Sequence, residues 1–414
     1  MLPGPAMQTP PRLAVDRTIA ALDARLSAVL DAILHHPRIQ QLESQWRAIH
    51  MLVTRTRPHS GVRVELLACT RTDLAADLAR PDLEHSGLHH HLYARACASF
   101  GGQPYGLVCL THAFGPDDLG LLRPAVALAA LAHAPLLADA DPALLGLLSH
   151  TEIPHLRDLP VTQQSPRFTA WHAFRTGDDA RWLALCLPRF LLRPPHDLAA
   201  APTARLRYSE RVRSHADLVW GPAAVLVALR AAEAFADQRW CVGLLGTRSG
   251  PELVRLGDNP CTLEVLLPPR SERALADLGL VPVTADRLAG RAILRHAPTV
   301  QRAADPLAAQ LPYVFLISRL AHYLRRIQRE HIGQWDDRAA LQRLLDHWLR
   351  RLVADMDDPP PEVRAVKPLR SASVTLTPAP DDAGWYRCHL RVVPHLTHLG
   401  RPLTLDLVGR LDRS

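Results

Sequence analysis

The sequence predicts a mixed α/β (α+β) protein in which mixed sheets flanked by helices lie between N-terminal helices and a C-terminal β arm. Three observations support this class. Apolar residues recur at helical spacing before residue 58 and again after residue 306. Short apolar strands alternate with helices from about residue 59 to 300, and apolar and polar residues alternate after residue 372.

Residues 1–58 are predicted to form a proline-rich leader and a pair of helices. In the first helix, apolar residues repeat at helical spacing from Ile19 to Ile33. Pro37 suits the first turn of the second helix. The apolar stripe of this second helix alternates spacings of three and four and consists of Ile39, Leu42, Trp46, Ile49 and Val53. Such a stripe packs against another helix, but two heptads do not distinguish pairing between chains from packing within one.

Residues 59–355 are predicted to form the core, divided into two α/β subdomains because 414 residues exceed the size at which one hydrophobic core keeps growing. The predicted strands are Val62–Leu66, Tyr105–Thr111, Pro135–Ala138 and Thr262–Leu267. The predicted helices are Leu88–Ser99, Asp117–His133, Gly221–Asp237, Pro306–Ile332 and Asp336–Asp355. Helices of this length between short buried strands are expected to pack on the sheet.

Residues 356–414 are predicted to form a linker and a C-terminal strand arm. The run from Asp355 to Glu362, DMDDPPPE, ends the preceding helix and favours a stiff, extended linker. Strands are predicted at Ser373–Thr377, Trp385–Val393 and Pro402–Val408. The last two strands carry little core of their own, and an isolated hairpin is marginal in water, so we expect them to need a partner.

Composition excludes several classes of protein. With 48% hydrophobic residues and a mean hydropathy of −0.04, the chain has no apolar run long enough for membrane insertion. The leader lacks the features of a signal peptide, which predicts a cytoplasmic protein. The seven cysteines include no C-x-x-C pair, so reduced thiols are expected. The net charge is +7, but the arginines are scattered, which does not favour nucleic-acid binding.

The glycine-rich run FGGQPYG, residues 100–106, is the first candidate for chemistry. Phosphate-binding loops leave a strand and open a helix, whereas here a predicted helix enters the loop and a predicted strand leaves it. No lysine lies nearby. The run therefore predicts a helix C-cap and a tight turn.

The histidines and serines also offer no strong motif. His85 and His89 are one helical turn apart, but the adjacent His90 and His91 point about 100° apart on a helix and cannot join one face. Ser249 in GTRSGPE does not match G-x-S-x-G. We therefore expect no catalytic residue, no metal and no cofactor.

Seven phrases, in order, resemble one family, the large subunit of the type VI secretion contractile sheath, known as TssC or VipB. The phrases are HHPRIQQLESQWRAIHMLV (35–53), FGGQPYG (100–106), HAPLLADA (133–140), RWLALCLPRFLLRPP (181–195), WGPAA (220–224), LPYVFLISRLAHYLRR (311–326) and YRCHLRVVPHLTHLGRPLTLDLVGRL (386–411). The resemblance spans roughly residues 30–411. It implies a structural protein with a contractile-tail-sheath-like fold, not an enzyme.

The resemblance also implies partners. The large subunit pairs with a small sheath subunit (TssB or VipA), and the heterodimers polymerise around an inner tube protein, on a baseplate, and contract. A C-terminal strand arm joins neighbouring protomers, which here implies the residues Trp385, Tyr386, Leu390, Val392, Leu403, Leu405 and Leu407. An AAA+ ATPase then dismantles the contracted sheath.

The chain departs from the family pattern in three places. Only 34 residues precede the first phrase, Leu110–Phe114 replaces an acidic run, and 414 residues is short. Weaker recycling by the ATPase is the expected consequence. Two alternatives remain open: a divergent accessory sheath paralogue, and a cytoplasmic enzyme that uses the histidine cluster or Ser249.

Overall fold

The computed structural model describes residues 12–156, 159–198, 207–246, 250–256, 262–286, 288–330, 338–356, 358–378, 385–395, 397–398, 401–402 and 405–412. Its helices are α1 (Arg12–Leu34), α2 (Pro37–Arg55), α3 (Arg71–Leu78), α4 (Gly87–His89, continued as a π-helix over His90–Ala98), α5 (Leu119–Ala132), α6 (Leu159–Thr162), α7 (Thr169–Arg175), α8 (Ala223–Gln238), α9 (Pro269–Asp277), α10 (Leu311–Glu330), α11 (Arg338–Arg350) and α12 (Pro361–Val366). Its strands are β1 (Val108–Phe114), β2 (Leu136–Ala140), β3 (Leu183–Leu187), β4 (Phe190–Leu191), β5 (Trp220–Gly221), β6 (Leu280–Pro282), β7 (Thr284–Asp286), β8 (Arg291–Ile293), β9 (Leu369–Pro378), β10 (Trp385–Pro394), β11 (Thr397–His398), β12 (Arg401–Pro402) and β13 (Leu405–Asp412).

A four-stranded parallel sheet in the order β1-β2-β3-β6 lies at the centre. Helices connect its strands, as parallel pairing requires. Alternate residues of β2 and β3 face opposite layers: Leu136 and Leu185 pack with α5, and Leu137 and Ala184 pack with α8. The sheet is therefore buried on both faces, which explains the continuous apolar runs of its strands.

Asp139 of β2 fixes the start of α8. Its two carboxylate oxygens accept the backbone N–H groups of Ala223 and Ala224 at 2.9 and 2.8 Å. These are among the N–H groups that a helix leaves without a partner in its first turn. Burial raises the pKa of Asp139 to about 7, although the two backbone hydrogen bonds favour its charged form.

Helix α10 closes the C-terminal end of α5 with three polar side chains. Ser318 donates to the carbonyl of His133. His322 donates to the carbonyl of Ala132, and Arg325 donates to that of Leu131, each at 2.8 Å. Burial lowers the pKa of His322 to about 4, so the ring is neutral at pH 7 and donates through Nε2–H. The apolar side of α10 contributes to the two large core clusters.

The FGGQPYG run is a turn that ends the helix preceding it. Gly101 has a φ of +74°, in the left-handed region. A Cβ at Gly102 would lie 2.6 Å from the carbonyl oxygen of Arg95 and 2.7 Å from that of Ala96. Arg329 of α10 donates to the carbonyls of Cys97 at 3.0 Å and Ser99 at 2.7 Å, just before the turn, and to that of Gly102 at 3.4 Å within it. The predicted turn is thus confirmed, with close backbone approach as its physical reason.

The mixed α/β class is confirmed, and two predicted strands are wrong. Val62–Leu66 has no pairing strand in the described part of the chain, although Val62 and Val64 are half-buried and Leu66 is exposed. Thr262–Leu267 forms only an isolated bridge from Leu263 to Phe190. The alternation of apolar and polar residues predicts which side chains are buried. A strand also needs a second strand to pair with its backbone, and the sequence does not show one.

We expect alanine substitutions in the turn to destabilise the protein in the order Gly102, Gly101, Gly106. Gly102→Ala forces backbone apart and should cost about 1–3 kcal/mol, and Gly101→Ala about 1 kcal/mol because of its positive φ. Gly106→Ala meets no atom within 4 Å and serves as the control. Denaturant unfolding measures this order, and equal costs for Gly102→Ala and Gly106→Ala would contradict the close approach.

Candidate protein-binding surfaces

A buried arginine holds the N-terminal helices on the core. Arg193 donates from Nε to Glu43 of α2 and from Nη1 to Glu210, each at 2.6 Å. His35, between α1 and α2, lies 3.1 Å from Glu210. Burial by itself would raise the pKa of both carboxyls, but the hydrogen bonds from Arg193 lower it. Both carboxylates are therefore charged at neutral pH, and the cluster fixes the connection between the helices to the core.

One face of α2 completes this contact. Gln40 donates to the carbonyl of Ala216 at 2.8 Å, Ser44 donates to that of Trp220 at 2.7 Å, and Tyr208 donates to Asp31 of α1 at 2.8 Å. Next to them, the fully buried Ala48 packs against Val225 and Leu229 of α8. These residues of α2 follow one another every four positions, so they share one face of the helix.

The predicted stripe of α2 lies on a different face and does not pack within the described chain. The exposed fractions are 37% for Ile39, 51% for Leu42, 61% for Trp46 and 49% for Val53, and Ile49 is half-buried. Among the described residues these exposed side chains have no helix to pack against, so packing of the stripe against a helix of another chain stays a prediction. The periodicity predicted an amphipathic helix correctly, but α2 has two apolar sides, and the smaller Ala48 side faces the core.

Helix α1 exposes a similar seam. The exposed apolar residues are Val15, Ile19, Leu22, Leu26, Val29 and Ile33, with exposed fractions between 40% and 56%. Their spacings alternate between four and three, the repeat of a coiled-coil seam. Contiguous apolar surface of this kind is rare on isolated proteins and marks an interaction site.

The C-terminal strands form one antiparallel sheet in the order β13-β10-β9. Its buried residues include Leu369, Val374, Leu376, Cys388, Leu390 and Val392, which share a core cluster with Leu341, Leu345 and Leu349 of α11. This corrects the expectation that the strands lack a core, because β9 and α11 supply one. The linker is also partly helical, since α12 begins at Pro361.

The sheet order limits where another strand can add. Strand β10, which carries Leu390 and Val392, is central and pairs on both sides, so it offers no free edge. Both side chains are at most 1% exposed and belong to the core of this chain. In the described chain, the edges are β9 and β13, which holds Leu405 and Leu407. The backbones of Trp385 and Tyr386 lie in β10, and Leu403 lies outside the described residues.

The residues considered for catalysis or metal binding do not converge. His85 bonds to Asp82 at 2.7 Å, and His89 lies against Tyr93. No group of three metal-ligating side chains forms among the described residues, and no helix there is long and apolar enough to cross a membrane. Ser249 lies outside the described residues.

A buried ionic cluster lies beside the central sheet, and sequence reasoning missed it. Glu264 accepts from Arg189 at 2.6 and 2.7 Å and lies 3.1 Å from Nδ1 of His150. Nε2 of His150 bonds to the carbonyl of Ala140 at 3.0 Å. Burial alone would raise the pKa of Glu264, but the hydrogen bonds from Arg189 and His150 lower it to about 2. The members are far apart in sequence. Both ring nitrogens of His150 and both oxygens of Glu264 have partners, whereas Nε2 of His215, 3.7 Å from Glu264, has no hydrogen-bond partner. The hydrogen-bonded side chains favour a structural role for the cluster.

We expect Glu264→Gln to destabilise the fold by about 3–5 kcal/mol, because it leaves Arg189 and His150 without their buried anion. The contribution of Glu264 is complete above its ordinary pKa of 4.5 and is lost as the pH falls toward 2. Chemical unfolding of both proteins at pH 7 and pH 3 measures this difference.

Glu252→Gln is the matched control. Glu252 pairs with Arg291 at 3.2 Å, but its side chain is 69% exposed, so the change should cost less than about 1 kcal/mol. Equal costs for the two substitutions would show that burial does not strengthen the Glu264 cluster.

Two family models together match nearly the whole chain. The family model VipB (EvpB/VC_A0108, tail sheath N-terminal domain) matches residues 16–301, and its companion for the tail sheath gpW/gp25-like domain matches residues 300–411. The chain is 30% identical over 429 residues to the type VI secretion system sheath protein TssC1 of Pseudomonas aeruginosa, covering 97% of this chain and 86% of that protein.

Two solved structures are more distantly similar. A chain of the anti-feeding prophage baseplate has a TM-score of 0.39 at 12% identity, with 86% of this chain and 80% of that chain covered. The sheath tail protein of Desulfitobacterium hafniense has a TM-score of 0.34 at 11% identity, with 70% and 59% covered. Since the two family models together match residues 16–411, the chain belongs to the VipB family of tail sheath proteins.

Proposed function

We propose that this protein is the large subunit of a type VI secretion contractile sheath, polymerising with a small sheath subunit around an inner tube and contracting to propel it. The observation that supports this most is the 30% identity to a type VI sheath protein across 97% of the chain. The role is structural, with no catalytic step and no cofactor. In this role the protein lies in the cytoplasm, where it contacts neighbouring protomers of the sheath and the sheath contacts a baseplate.

The small sheath subunit is the partner we assign to the exposed seams of α1 and α2. Both seams repeat at alternating spacings of three and four, which suits a helical partner. Trp46 is the largest exposed side chain of the α2 seam, and tryptophan is enriched among residues that dominate binding energy. The polar anchor around Arg193 holds these helices with the seams directed away from the core.

We assign the link to neighbouring protomers to an edge of the C-terminal sheet, at β13 or β9. An exposed edge presents unpaired backbone groups that a strand of another chain can complete. Each such hydrogen bond contributes only about 0.5–1.5 kcal/mol, but several act together and repeat along a polymer. The division into residues 1–58, 59–355 and 356–414 then separates partner binding, the core and the linking unit.

Disassembly of the contracted sheath by an AAA+ ATPase also belongs to this proposal. An accessory sheath paralogue would bind the small subunit without forming tubules by itself. The discriminating experiment is to co-express the chain with the small subunit encoded beside it and to examine the product by electron microscopy. Tubules support the sheath role, and a heterodimer without tubules favours the accessory role. Absence of any complex would contradict both.

We expect Trp46→Ala, combined with Leu42→Ala, to weaken binding of the small subunit by at least 2 kcal/mol, about 30-fold. The stability of the unbound chain should change by less than about 1 kcal/mol because both side chains are largely exposed. Leu148→Ala is the control, since Leu148 is 96% exposed away from the seams. If binding is unchanged while both proteins fold, the seam is not the binding surface.

Deleting residues 402–414 should abolish tubules and leave the heterodimer intact. The deletion removes β13, while β9, β10 and α11 keep their shared core. Deleting only Arg413 and Ser414 leaves β13 in place and is the control. Tubules of normal appearance from the longer deletion would rule out β13 as the linking edge.

A further inference from the structure

A cavity of about 580 Å³ lies between the C-terminal ends of α7 and α9 and the segment 296–310. Its floor includes the buried residues Arg175, Gly279 and Thr299. Its rim includes the exposed residues Arg273 and Arg302. The volume falls in the range of small-molecule sites, and neither the seams nor the C-terminal sheet uses it.

Arg175 is an unusual residue for the floor of a cavity. Arg175 is only 6% exposed, and its Nε donates a hydrogen bond to the carbonyl of Val300 at 2.8 Å. Within the described part of the chain, no carboxylate lies within salt-bridge distance of it. Burial, together with the nearby charge of Arg302, lowers the pKa of Arg175 to about 10, so the guanidinium remains charged at neutral pH. A buried charge without a counterion is costly, and an anion in the cavity would offset that cost.

The other charged groups around the cavity leave an excess of positive charge. Arg273, Arg302 and His296 line it together with two carboxylates, Asp277 and Asp305. Asp305 already accepts the backbone N–H of Leu307 at 3.0 Å. Counting the arginines and carboxylates alone, three positive charges face two negative ones, and none of the described ion pairs joins them.

Uncharged polar groups beside the cavity also lack partners. Thr299 Oγ1, Gln301 Oε1 and Gln310 Oε1 are buried and have no hydrogen-bond partner among the described residues. Gly279 keeps the floor open: with a φ of +79°, it would place a Cβ 2.8 Å from Nη2 of Arg175. Of these three atoms, only the hydroxyl of Thr299 can donate to an anion, whereas the two amide oxygens accept hydrogen bonds and would be satisfied by water or by a donor group of a ligand.

We propose that this cavity binds a small multivalent oxyanion, with phosphate or carboxylate groups held by Arg175 and Arg302. Guanidinium groups bind both kinds of oxyanion through paired N–H donors. The hydroxyl of Thr299 is a further donor. This site is separate from the surfaces assigned to sheath assembly, and it can be tested on the unassembled full-length chain.

The test is calorimetric titration of the chain with sodium pyrophosphate and, separately, with sodium citrate at constant ionic strength. We expect saturable binding at one site. Pyrophosphate binding more tightly indicates a phosphate-bearing ligand, and citrate binding more tightly indicates a carboxylate-bearing one. No saturable binding of either probe would overturn the proposal.

Matched variants separate the cavity from general attraction to a basic protein. Arg302→Gln should weaken binding at least tenfold, whereas Arg270→Gln, an exposed arginine of α9 outside the cavity, should leave it unchanged. Ala276→Trp should block the cavity and abolish binding without changing any charge. Equal affinities in Arg302→Gln and Arg270→Gln, or full binding by a folded Ala276→Trp protein, would overturn the site.

Discussion

The bridge of Arg193 between Glu43 and Glu210 is the interaction on which the direction of the exposed helical seams depends. A charge this deeply buried is stable only when its partners are fixed, and here they come from α2 and from the segment before β5. The bridge therefore restricts how α2 can rotate about its axis. Because the Ala48 face lies on α8, the face with Trp46 is directed outward. An ionic contact inside the chain thus decides which apolar side is available to a partner.

The same chain shows which parts of a fold the sequence can predict. Long amphipathic helices such as α2 and α10, and the buried run that forms β2, were predicted with small errors at their ends, because periodicity and continuous apolar character are local properties. The strand β3 was not predicted. The strand predicted at Val62–Leu66 has the expected alternation but no pairing strand among the described residues. Pairing is a long-range property, so no local pattern can reveal it.

The sequence also predicted the elements that carry the candidate surfaces, but not which of their faces and edges are exposed. The stripe from Ile39 to Val53 was identified from spacing, but its exposure depends on the competing Ala48 face, whose small residues give a weaker signal. The C-terminal strands were also identified, whereas the central place of β10 depends on the register with β9 and β13. That register places Leu390 and Val392 in the core and leaves only the outer strands as edges for another chain.

Pairing also distinguishes the buried arginines from one another. Three arginines are buried among the described residues: Arg175, Arg193 and Arg230. Arg193 bridges two carboxylates, and Arg230 lies 3.5 Å from Glu233 and donates to the carbonyl of Gly243. Each of these two has a counterion, as the cost of burial requires. Arg175 has a single carbonyl acceptor and an open cavity beside it. The sequence could not separate these three residues, because the difference lies in which carboxylates the fold brings near, and among the described residues no carboxylate forms an ion pair with Arg175.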